Sequence, residues 1–356
     1  MANKITIIGA GLTGLTLAYL LKKVGIKATI LEARMRLGGR IHTIYNEGEA
    51  SVEMGATWLG KKHQHLLSLL EELELTIHEQ VLGNSAFYEY LSTSPTQLVQ
   101  LPPNNDPSFR IKGGSSILIQ HLAKTLDTDQ VQLGQVVRSI NFQEEGCTVQ
   151  TAKGDFPSDF VISTLPPNLL VSTVHFTPEL PNQLVQLAEE THTWMGESIK
   201  VALTFEKAFW QAATSSGTIM SNVGPVSEMY DHSDADNNFH ALKGFMNGSF
   251  YAATLPERKN LIINQLRKYY GEKISGYSKY LECVWREESF TFASYKKAVL
   301  PHQNNGAAKY RMPFMNGRFF MAGSETAATF PGYMDGAVQS AYQVVDPLLS
   351  QLQEAT

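Results

Sequence analysis

The sequence is poor in cysteine, in excess positive charge and in long apolar runs. Its 356 residues include two cysteines, Cys147 and Cys283, which are too few for a disulfide scaffold or a zinc site and favour a reducing compartment. A formal net charge of -5 provides no basic face for phosphates, so nucleic acid is excluded as a partner. No segment has about 18 uninterrupted apolar residues, and no membrane span is predicted.

The amino-terminal end has no room for a signal peptide, because the first predicted strand begins at Lys4. Together with the low cysteine content, this predicts a cytoplasmic protein. The chain is 43% apolar and 18% charged, which is an ordinary globular balance. A chain of this length is too long for one simple core, so two connected domains are expected.

A predicted βαβ unit opens the chain. Residues 4–8 form a β-branched run of the kind buried in a parallel sheet, and residues 15–24 have a helical pattern. Residues 27–31 predict a second strand, which Glu32 closes. The first strand runs into the sequence GAGLTG at 9–14. This order of strand, glycine turn, helix, strand and acid is typical of a dinucleotide-binding fold.

The glycines of this turn have distinct expected roles. Gly9 permits the tight turn, Gly11 lets the backbone approach a pyrophosphate at the helix terminus, and Gly14 lets helix and strand pack closely. The Glu32 carboxylate can accept a hydrogen bond from a ribose hydroxyl. A glycine-rich turn without a nucleotide is the alternative, and the full order of elements argues against it.

The run EARMRLGGR at 32–40 narrows the choice of nucleotide. Its arginines and glycine doublet can bring guanidinium and backbone N–H groups to phosphate oxygens, which a nicotinamide enzyme does not need at this point. The run resembles that of the glycine-doublet FAD superfamily, which includes amine oxidases, protoporphyrinogen oxidase and phytoene desaturases. The resemblance implies bound FAD with contacts from Arg34, Gly39 and Arg40.

A further segment is similar to the same superfamily. VEMGATWLG at 52–60 resembles its second flavin loop, in which small residues let backbone amides reach the cofactor. That resemblance implies contacts from Gly55, Ala56 and Thr57. The resemblance to the superfamily also implies that the strand with Val136 and Val137 returns the chain to the FAD-binding domain and that Val137 lies near the adenine.

The resemblance implies an α/β protein of two domains. A discontinuous Rossmann-like FAD-binding domain is expected from residues 1–78, 108–182 and 294–356. A substrate-binding domain, with a mixed sheet plus helices, is expected from residues 79–107 and 183–293. The 79–107 segment reads as irregular and turn-rich, and it looks much shorter than in mammalian amine oxidases. Either the substrate site is open or another subunit of a homo-oligomer covers it.

Lys200 lies in an alternating apolar pattern over residues 199–205, which predicts a strand. Taken alone, a lysine in such a strand is usually solvated. However, MGESIKV at 195–201 resembles the monoamine oxidase segment whose lysine holds a water at flavin N5. The resemblance implies that Lys200 assists reoxidation by oxygen, since a positive charge favours the first electron onto oxygen.

Two motifs near the carboxyl end are the most specific matches. AGSETA at 322–327 and GYMDGA at 332–337 resemble segments of monoamine and polyamine oxidases. The match implies that Glu325 and Met334 contact FAD.

An aromatic pair and a missing cysteine concern the reactive end of the flavin. By the same resemblance, Tyr295 and Tyr333 match two rings that stand face to face over the flavin, where ring faces attract the amine nitrogen. Ser294 stands where membrane-bound monoamine oxidases have a cysteine bonded to the flavin. A serine hydroxyl has no thiolate for that bond, so non-covalent FAD is predicted.

The implied function is FAD-dependent oxidation of an amine C–N bond. Hydride passes from the α-carbon of the neutral amine to flavin N5, and the imine is hydrolysed to an aldehyde or ketone plus amine or ammonia, while O2 becomes hydrogen peroxide. The partners are a small amine and O2, and no metal is predicted. Two alternatives stay open: a C–C desaturase or protoporphyrinogen-type FAD oxidase, and a flavin-binding protein without amine oxidase activity.

Overall fold

Strands and helices alternate through residues 3–354, the part of the chain that this computed structural model describes. Within that range, no helix combines the length and the apolar composition that a membrane span requires. The α-helices are α1 (Leu12–Lys23), α2 (Gln64–Glu72), α3 (Ser116–Thr125), α4 (Pro167–Thr173), α5 (Asn182–Glu189), α6 (Leu255–Tyr270) and α7 (Met334–Glu354). The strands are β1 (Ile5–Ile8), β2 (Ala28–Glu32), β3 (Thr43–Ile44), β4 (Val52–Glu53), β5 (Ile77–Glu79), β6 (Ser85–Glu89), β7 (Gln97–Gln100), β8 (Phe109–Ile111), β9 (Val131–Leu133), β10 (Val137–Phe142), β11 (Cys147–Thr151), β12 (Gly154–Ser158), β13 (Phe160–Ser163), β14 (His175–Thr177), β15 (Ile199–Phe205), β16 (Ile219–Ser221), β17 (Val226–Asp231), β18 (His240–Met246), β19 (Lys279–Val284) and β20 (Phe319–Met321).

A five-stranded parallel sheet has the strand order β20-β13-β1-β2-β9. β1 and β13 are buried along their whole length, as expected for apolar strands that are covered on both faces. Side chains of α1, α3 and α7 share one core with those of the sheet. The predicted βαβ unit is confirmed, because β1 pairs in parallel with β2 and α1 connects the two strands.

Glycine lets α1 begin close to the end of β1. Gly9 has a φ of +103°, and a Cβ on Gly14 would lie 2.0 Å from the Gly9 carbonyl oxygen, so a side chain at either position would disturb the turn. The carboxyl ends of parallel strands meet at one edge of a sheet. Along that edge, the chain leaves the strands through Gly9, Glu32, Thr164 and Ala322.

A seven-stranded sheet has the order β19-β15-β18-β17-β16-β6-β7. β15 pairs antiparallel with β18 on one side and with β19 on the other, and all of its residues are buried. Helix α6 contributes Ile262 and Leu266 to the core that the sheet forms with Leu203 and Met229. This is the mixed sheet plus helices that the sequence predicted.

The prediction of irregular structure for residues 79–107 is wrong for part of that segment. β6 and β7 form an antiparallel hairpin, and β6 joins the seven-stranded sheet in parallel with β16. Phe87 attaches the hairpin, because its ring stacks on Tyr269 and meets Tyr270 edge-on. The prolines and asparagines that follow β7 had obscured this short strand pattern.

We propose that the domain boundaries follow the two sheets. All strands of the seven-stranded sheet lie within residues 79–107 and 183–293. All strands of the parallel sheet lie within residues 1–78, 108–182 and 294–356. The chain crosses between the sheets more than once, and residues 194–195 and 289–291, which lie near two of the crossings, line one cavity.

Candidate active site

A cavity of about 790 Å³ lies where the loops of the parallel sheet meet the seven-stranded sheet. Its size is usual for a cofactor or ligand site. The seven-stranded sheet contributes Lys200, Glu228 and Phe245 to its wall. Most of the residues predicted to bind the cofactor also lie on this wall: Gly9, Gly11, Glu32, Arg34, Gly39, Arg40, Gly55, Ala56, Thr57, Val137 and Met334.

The amino terminus of α1 opens onto the cavity. Gly11 is its N-cap, with an extended backbone at φ −76° and ψ −178°, and no atom lies within 4 Å of the position that a Cβ would take. The backbone N–H groups of the first turn and the positive end of the helix dipole suit a phosphate. Gly14 is not on the cavity wall, and its part is to let α1 pack against Gly9.

Glu32 ends β2 with its carboxylate fixed by the backbone. One oxygen accepts a hydrogen bond from the Ala10 N–H at 2.8 Å, and the other accepts from the Arg34 N–H at 2.8 Å. A carboxylate has about four acceptor sites, so lone pairs remain for a ribose hydroxyl. The side chain is therefore held in place and can still bind a hydroxyl of a nucleotide.

Arg34 lies on the cavity wall, but its guanidinium is directed elsewhere than the sequence implied. It donates to the Glu288 carboxylate at 2.8 Å, to the Thr291 hydroxyl at 2.8 Å and to the Phe290 carbonyl oxygen at 3.2 Å. These bonds use most of the donors that a guanidinium possesses. Arg34 therefore connects the turn after β2 to residues 288–291, rather than offering a free fork to phosphate.

Glu325 is fully buried and holds Arg40. It does not line the cavity, whereas the resemblance implied that it contacts FAD. Its carboxylate accepts two hydrogen bonds from the Arg40 guanidinium, one of them at 2.8 Å, and another from the Trp194 N–H at 3.2 Å. Burial alone raises the pKa of Glu325, but the ion pair with Arg40 outweighs it and the net pKa is lowered. Glu325 thus acts through Arg40, which is on the wall.

Lys200 is buried on β15 and reaches across to the loop that contains Gly55. Its ammonium donates to the Gly55 carbonyl oxygen, and a Cβ on Gly55 would lie 2.1 Å from the Arg40 carbonyl oxygen. The loop is therefore fixed on both sides. Burial lowers the pKa of Lys200 to about 8, although the Glu53 carboxylate opposes the shift.

The structure does not bring Tyr295 to the cavity wall, in contrast to the predicted tyrosine pair. Its hydroxyl accepts a hydrogen bond from the Thr193 N–H at 2.8 Å, and its ring meets Phe292 edge-on at 5.5 Å. These contacts hold the ring behind the wall. Tyr333 does line the cavity and is 38% exposed. Ser294 is exposed and lies off the wall.

Trp194 is the aromatic residue that accompanies Tyr333, and sequence reasoning did not single it out. The two ring centres are 5.7 Å apart with planes inclined at 35°, and both rings line the cavity. The imidazole ring of His302 stacks on the indole ring of Trp194, with the ring centres 3.9 Å apart. Space for the indole comes from Gly332, where a Cβ would lie 2.6 Å from the Trp194 Cβ. The signal in the sequence was the glycine at position 332, because the absence of a side chain there leaves room for a neighbouring ring.

Glu228 is the second wall residue that the sequence did not reveal. It lies half-buried on β17, where its carboxylate accepts a hydrogen bond from the Tyr230 hydroxyl. Tyr230 in turn meets the ring of Trp58 edge-on at 5.3 Å, and Trp58 lines the cavity beside Phe245. The wall formed by the seven-stranded sheet therefore carries an acid among aromatic rings.

The model of the flavin containing amine oxidoreductase family matches residues 12–105 and 95–349. The chain belongs to this family. It is therefore an FAD-dependent flavin amine oxidase, and both the fold class and the cofactor predicted from the sequence are confirmed.

Curated relatives match along nearly the whole chain. The probable flavin-containing monoamine oxidase A of Dictyostelium discoideum is 24% identical over 98% of this chain and 98% of its own length. The flavin-containing amine oxidase A of Sus scrofa is 24% identical over 98% of this chain and 85% of its own length.

Solved structures share the fold. Putrescine oxidase bound to putrescine matches with a TM-score of 0.85 and 22% identity, over 98% of this chain and 99% of that chain. Cyclohexylamine oxidase from Brevibacterium oxydans matches with a TM-score of 0.85 and 18% identity, over 99% and 100%. At these identities the likeness establishes the two-domain fold alone.

The residues on the cavity wall fit FAD. The open space at Gly11 and the end of α1 suit its pyrophosphate, and the fixed carboxylate of Glu32 suits its ribose. We propose that these two residues, the loop at residues 55–57 and Met334 hold the cofactor. When bound, FAD supplies acceptance of hydride and transfer of electrons to oxygen.

Gly11→Ala and Gly14→Ala form a matched pair that separates cofactor binding from packing. The Gly14→Ala methyl group would overlap the Gly9 carbonyl oxygen, so the free energy of unfolding should fall by about 3 kcal/mol. The Gly11→Ala methyl group would meet no atom beyond its chain neighbours and its own helix, but it would enter the space that we assign to the pyrophosphate. FAD affinity should fall roughly tenfold or more with the stability of the apoprotein unchanged. Denaturant unfolding and FAD titration measure the two effects, and equal destabilisation by both variants would contradict the assignment.

Proposed function

We propose that the protein oxidises an amine whose reacting end enters the cavity as the neutral base. The observation that carries this proposal is the buried lysine at the junction of the walls: Lys200 contacts Gly55 of the FAD-side loop and lies beside Phe245 on the cavity wall. An aromatic wall with one charge at this junction suits a reaction in which the protein orients a small substrate and excludes water.

Aromatic rings on the wall favour the form of the amine that can react. An alkylamine in water has a pKa near about 10, by comparison with lysine. The rings of Trp58, Trp194, Phe245 and Tyr333 surround the cavity, and burial among them penalises the ammonium form. Amine and O2 then give imine and hydrogen peroxide, and water hydrolyses the imine to an aldehyde or ketone plus amine or ammonia.

Lys200 supports the oxidative half of the reaction. Its side chain is 4% exposed and on the cavity wall, so its charge is poorly screened by solvent. A fixed positive charge stabilises negative charge as it develops on oxygen. With a pKa of about 8, the group is charged below that pH and loses its charge above it.

Glu228 favours a substrate with a second cationic group. Its carboxylate lies on the same wall as Lys200, among the rings of Trp58 and Phe245. An acid in a largely aromatic cavity stabilises a cation there. A diamine would present one ammonium to Glu228 and its other end, as the free base, to the reacting position. The structural neighbour putrescine oxidase was solved with putrescine, which makes that diamine a suitable first substrate to test.

An anaerobic screen of amines tests the proposed function directly. Loss of the flavin absorbance under nitrogen with a diamine or monoamine, followed by peroxide on admission of air, is the expected result. The protein with bound FAD should not be bleached by apolar substrates that lack nitrogen. No bleaching with any amine would leave the flavin-binding alternative.

Lys200→Met should slow reoxidation by O2 by roughly 100-fold, while anaerobic reduction by the amine changes little. In the unsubstituted protein, the reoxidation rate should decline as pH rises through about 8, because the charge is lost there, and Lys200→Met should abolish this dependence. Stopped-flow absorbance measures both half-reactions, with Lys207→Met, at an exposed position on the same segment, as the control. Equal slowing of both half-reactions would remove the proposed role.

Glu228→Gln should raise the KM for a diamine roughly tenfold, since the distal cation loses its partner, while the KM for a monoamine of equal length stays nearly the same. Steady-state peroxide production with the two substrates measures the difference. Glu206→Gln, which removes an exposed acid away from the cavity, is the matched control. An equal change for both substrates would count against a cation site at Glu228.

Denaturation should release all of the flavin, because Ser294 has no thiolate and its exposed side chain lies off the cavity wall. The measurement is the absorbance of the supernatant and of the pellet after acid precipitation. Yellow colour in the protein pellet would show a covalent bond and overturn the prediction.

A further inference from the structure

A second buried lysine lies beside Lys200 on the neighbouring strand. In the antiparallel register of β15 and β18, Lys200 is opposite Phe245 and Ala202 is opposite Lys243. The two lysines therefore project from the same face of the sheet as diagonal neighbours. Their Nζ atoms lie 5.0 and 5.6 Å from the centre of the Phe245 ring. Lys243 is fully buried and belongs to none of the motifs noted in the sequence.

Both lysines reach the same loop of the FAD-binding side. Lys200 donates to the Gly55 carbonyl oxygen, and Lys243 donates to the Thr57 hydroxyl. The Lys243 Nζ also lies 4.3 Å from the centre of the ring of Trp58, the residue that follows Thr57. The loop at residues 55–57 is thus held to the seven-stranded sheet by two side chains, and only Lys200 reaches the cavity wall.

The buried acids around Lys200 and Lys243 are too few to balance two ammonium groups in addition to the nearby Arg110. The acid that faces both lysines is Glu53, whose oxygens accept hydrogen bonds from the Ser115 N–H and the Thr43 hydroxyl and whose pKa is raised by burial. The other groups that face the pair are Cys283 and Glu228 near Lys200, Arg110 near Lys243, and His232 near both. Two unscreened like charges side by side repel strongly.

Lys200 reaches the cavity wall, whereas Lys243 is fully buried behind it, so burial disfavours a charge more strongly at Lys243. Burial, and then the charge of Lys200, hold the pKa of Lys243 well below its usual range. Burial lowers the pKa of Lys200 less, to about 8, and hydrogen bonding to Lys243 supports its charged form. A neutral amine has two hydrogens and one lone pair, so Lys243 can donate to Thr57 while it accepts from Lys200.

We propose that Lys243 is a positioning residue that shares a single positive charge with Lys200. The neutral amine of Lys243 anchors Thr57 and accepts a hydrogen bond from the Lys200 ammonium, so that the charge is held at the cavity wall and not behind it. The inference rests on the proposed role of Lys200 and adds a residue that sets how long that role persists as pH rises.

Nuclear magnetic resonance of the FAD-loaded protein with 13Cε-labelled lysine reads the charge of each side chain without turnover. The spectra of Lys200→Met and Lys243→Gln assign the two signals. We expect the Lys200 signal to titrate near pH 8 and the Lys243 signal to remain that of a neutral amine at pH 7. A charged Lys243 at pH 7 would overturn the proposal, and this measurement needs only the unsubstituted fold.

Two substitutions at the same position provide the matched comparison. Lys243→Met has a similar length but removes the acceptor, so the Lys200 titration should move about one pH unit lower, together with the pH dependence of reoxidation. Lys243→Gln keeps an oxygen acceptor for Lys200 and an N–H donor for Thr57, and should restore most of the shift. An unchanged Lys200 titration in folded Lys243→Met would refute the pairing.

The outcomes distinguish this proposal from the proposed function. A protein that fails to oxidise any amine would refute amine oxidation but leave the lysine titrations as a test of the shared charge. Conversely, two lysines that titrate independently would refute the pairing even if Lys200→Met slows reoxidation. Unfolding curves of the variants show that the fold is retained before either titration is compared.

Discussion

The ion pair between Arg40 and Glu325 joins the parts of the chain on which the site depends. Glu325 is completely buried, and an unpaired carboxylate at that position would be strongly destabilising, by about 3 to 5 kcal/mol. Its partner comes from the glycine-doublet segment, 285 residues earlier, and both side chains also bind the backbone of Trp194. One buried charge therefore fixes the amino-terminal turn, the carboxyl-terminal turn and an aromatic wall relative to one another.

A second set of contacts fixes the seven-stranded sheet against the segments that the ion pair between Arg40 and Glu325 joins. Lys200 and Lys243 bind the loop at residues 55–57, and the same loop packs on the Arg40 carbonyl oxygen through Gly55. The indole N–H of Trp285, the residue after β19, donates to the carbonyl oxygen of Met54, which precedes this loop, at 2.8 Å. Polar groups buried in this junction must be satisfied across it, so the relative placement of the two sheets is tied to the loop at residues 55–57.

Local patterns in the sequence were sufficient for the parts of the fold that are built from consecutive residues. The β-branched run before the glycine turn, the spacing of Gly9, Gly11 and Gly14, and the acid at Glu32 each follow from neighbours in the chain, and the parallel βαβ unit agrees with them. The hairpin within residues 79–107 was missed because a three-residue partner strand more than 100 residues later stabilises it. No local period records such a pairing.

The site was less predictable because side-chain directions depend on distant partners. The motif at residues 195–201 led to Lys200, which lies on the cavity wall, but no motif indicates the contacts of Tyr295 with Thr193 and Phe292. Glu228 gave no signal, since an acid in a strand near a turn is ordinarily solvated. The importance of Glu228 for the site follows only from its place on the same cavity wall as Lys200. In the proposed binding mode, the positive charge of Lys200 would disfavour an ammonium beside it, whereas Glu228, on the other side of Phe245, would favour one. A diamine bound between them would therefore have one neutral and one charged nitrogen, which is the protonation state that oxidation at a single end requires.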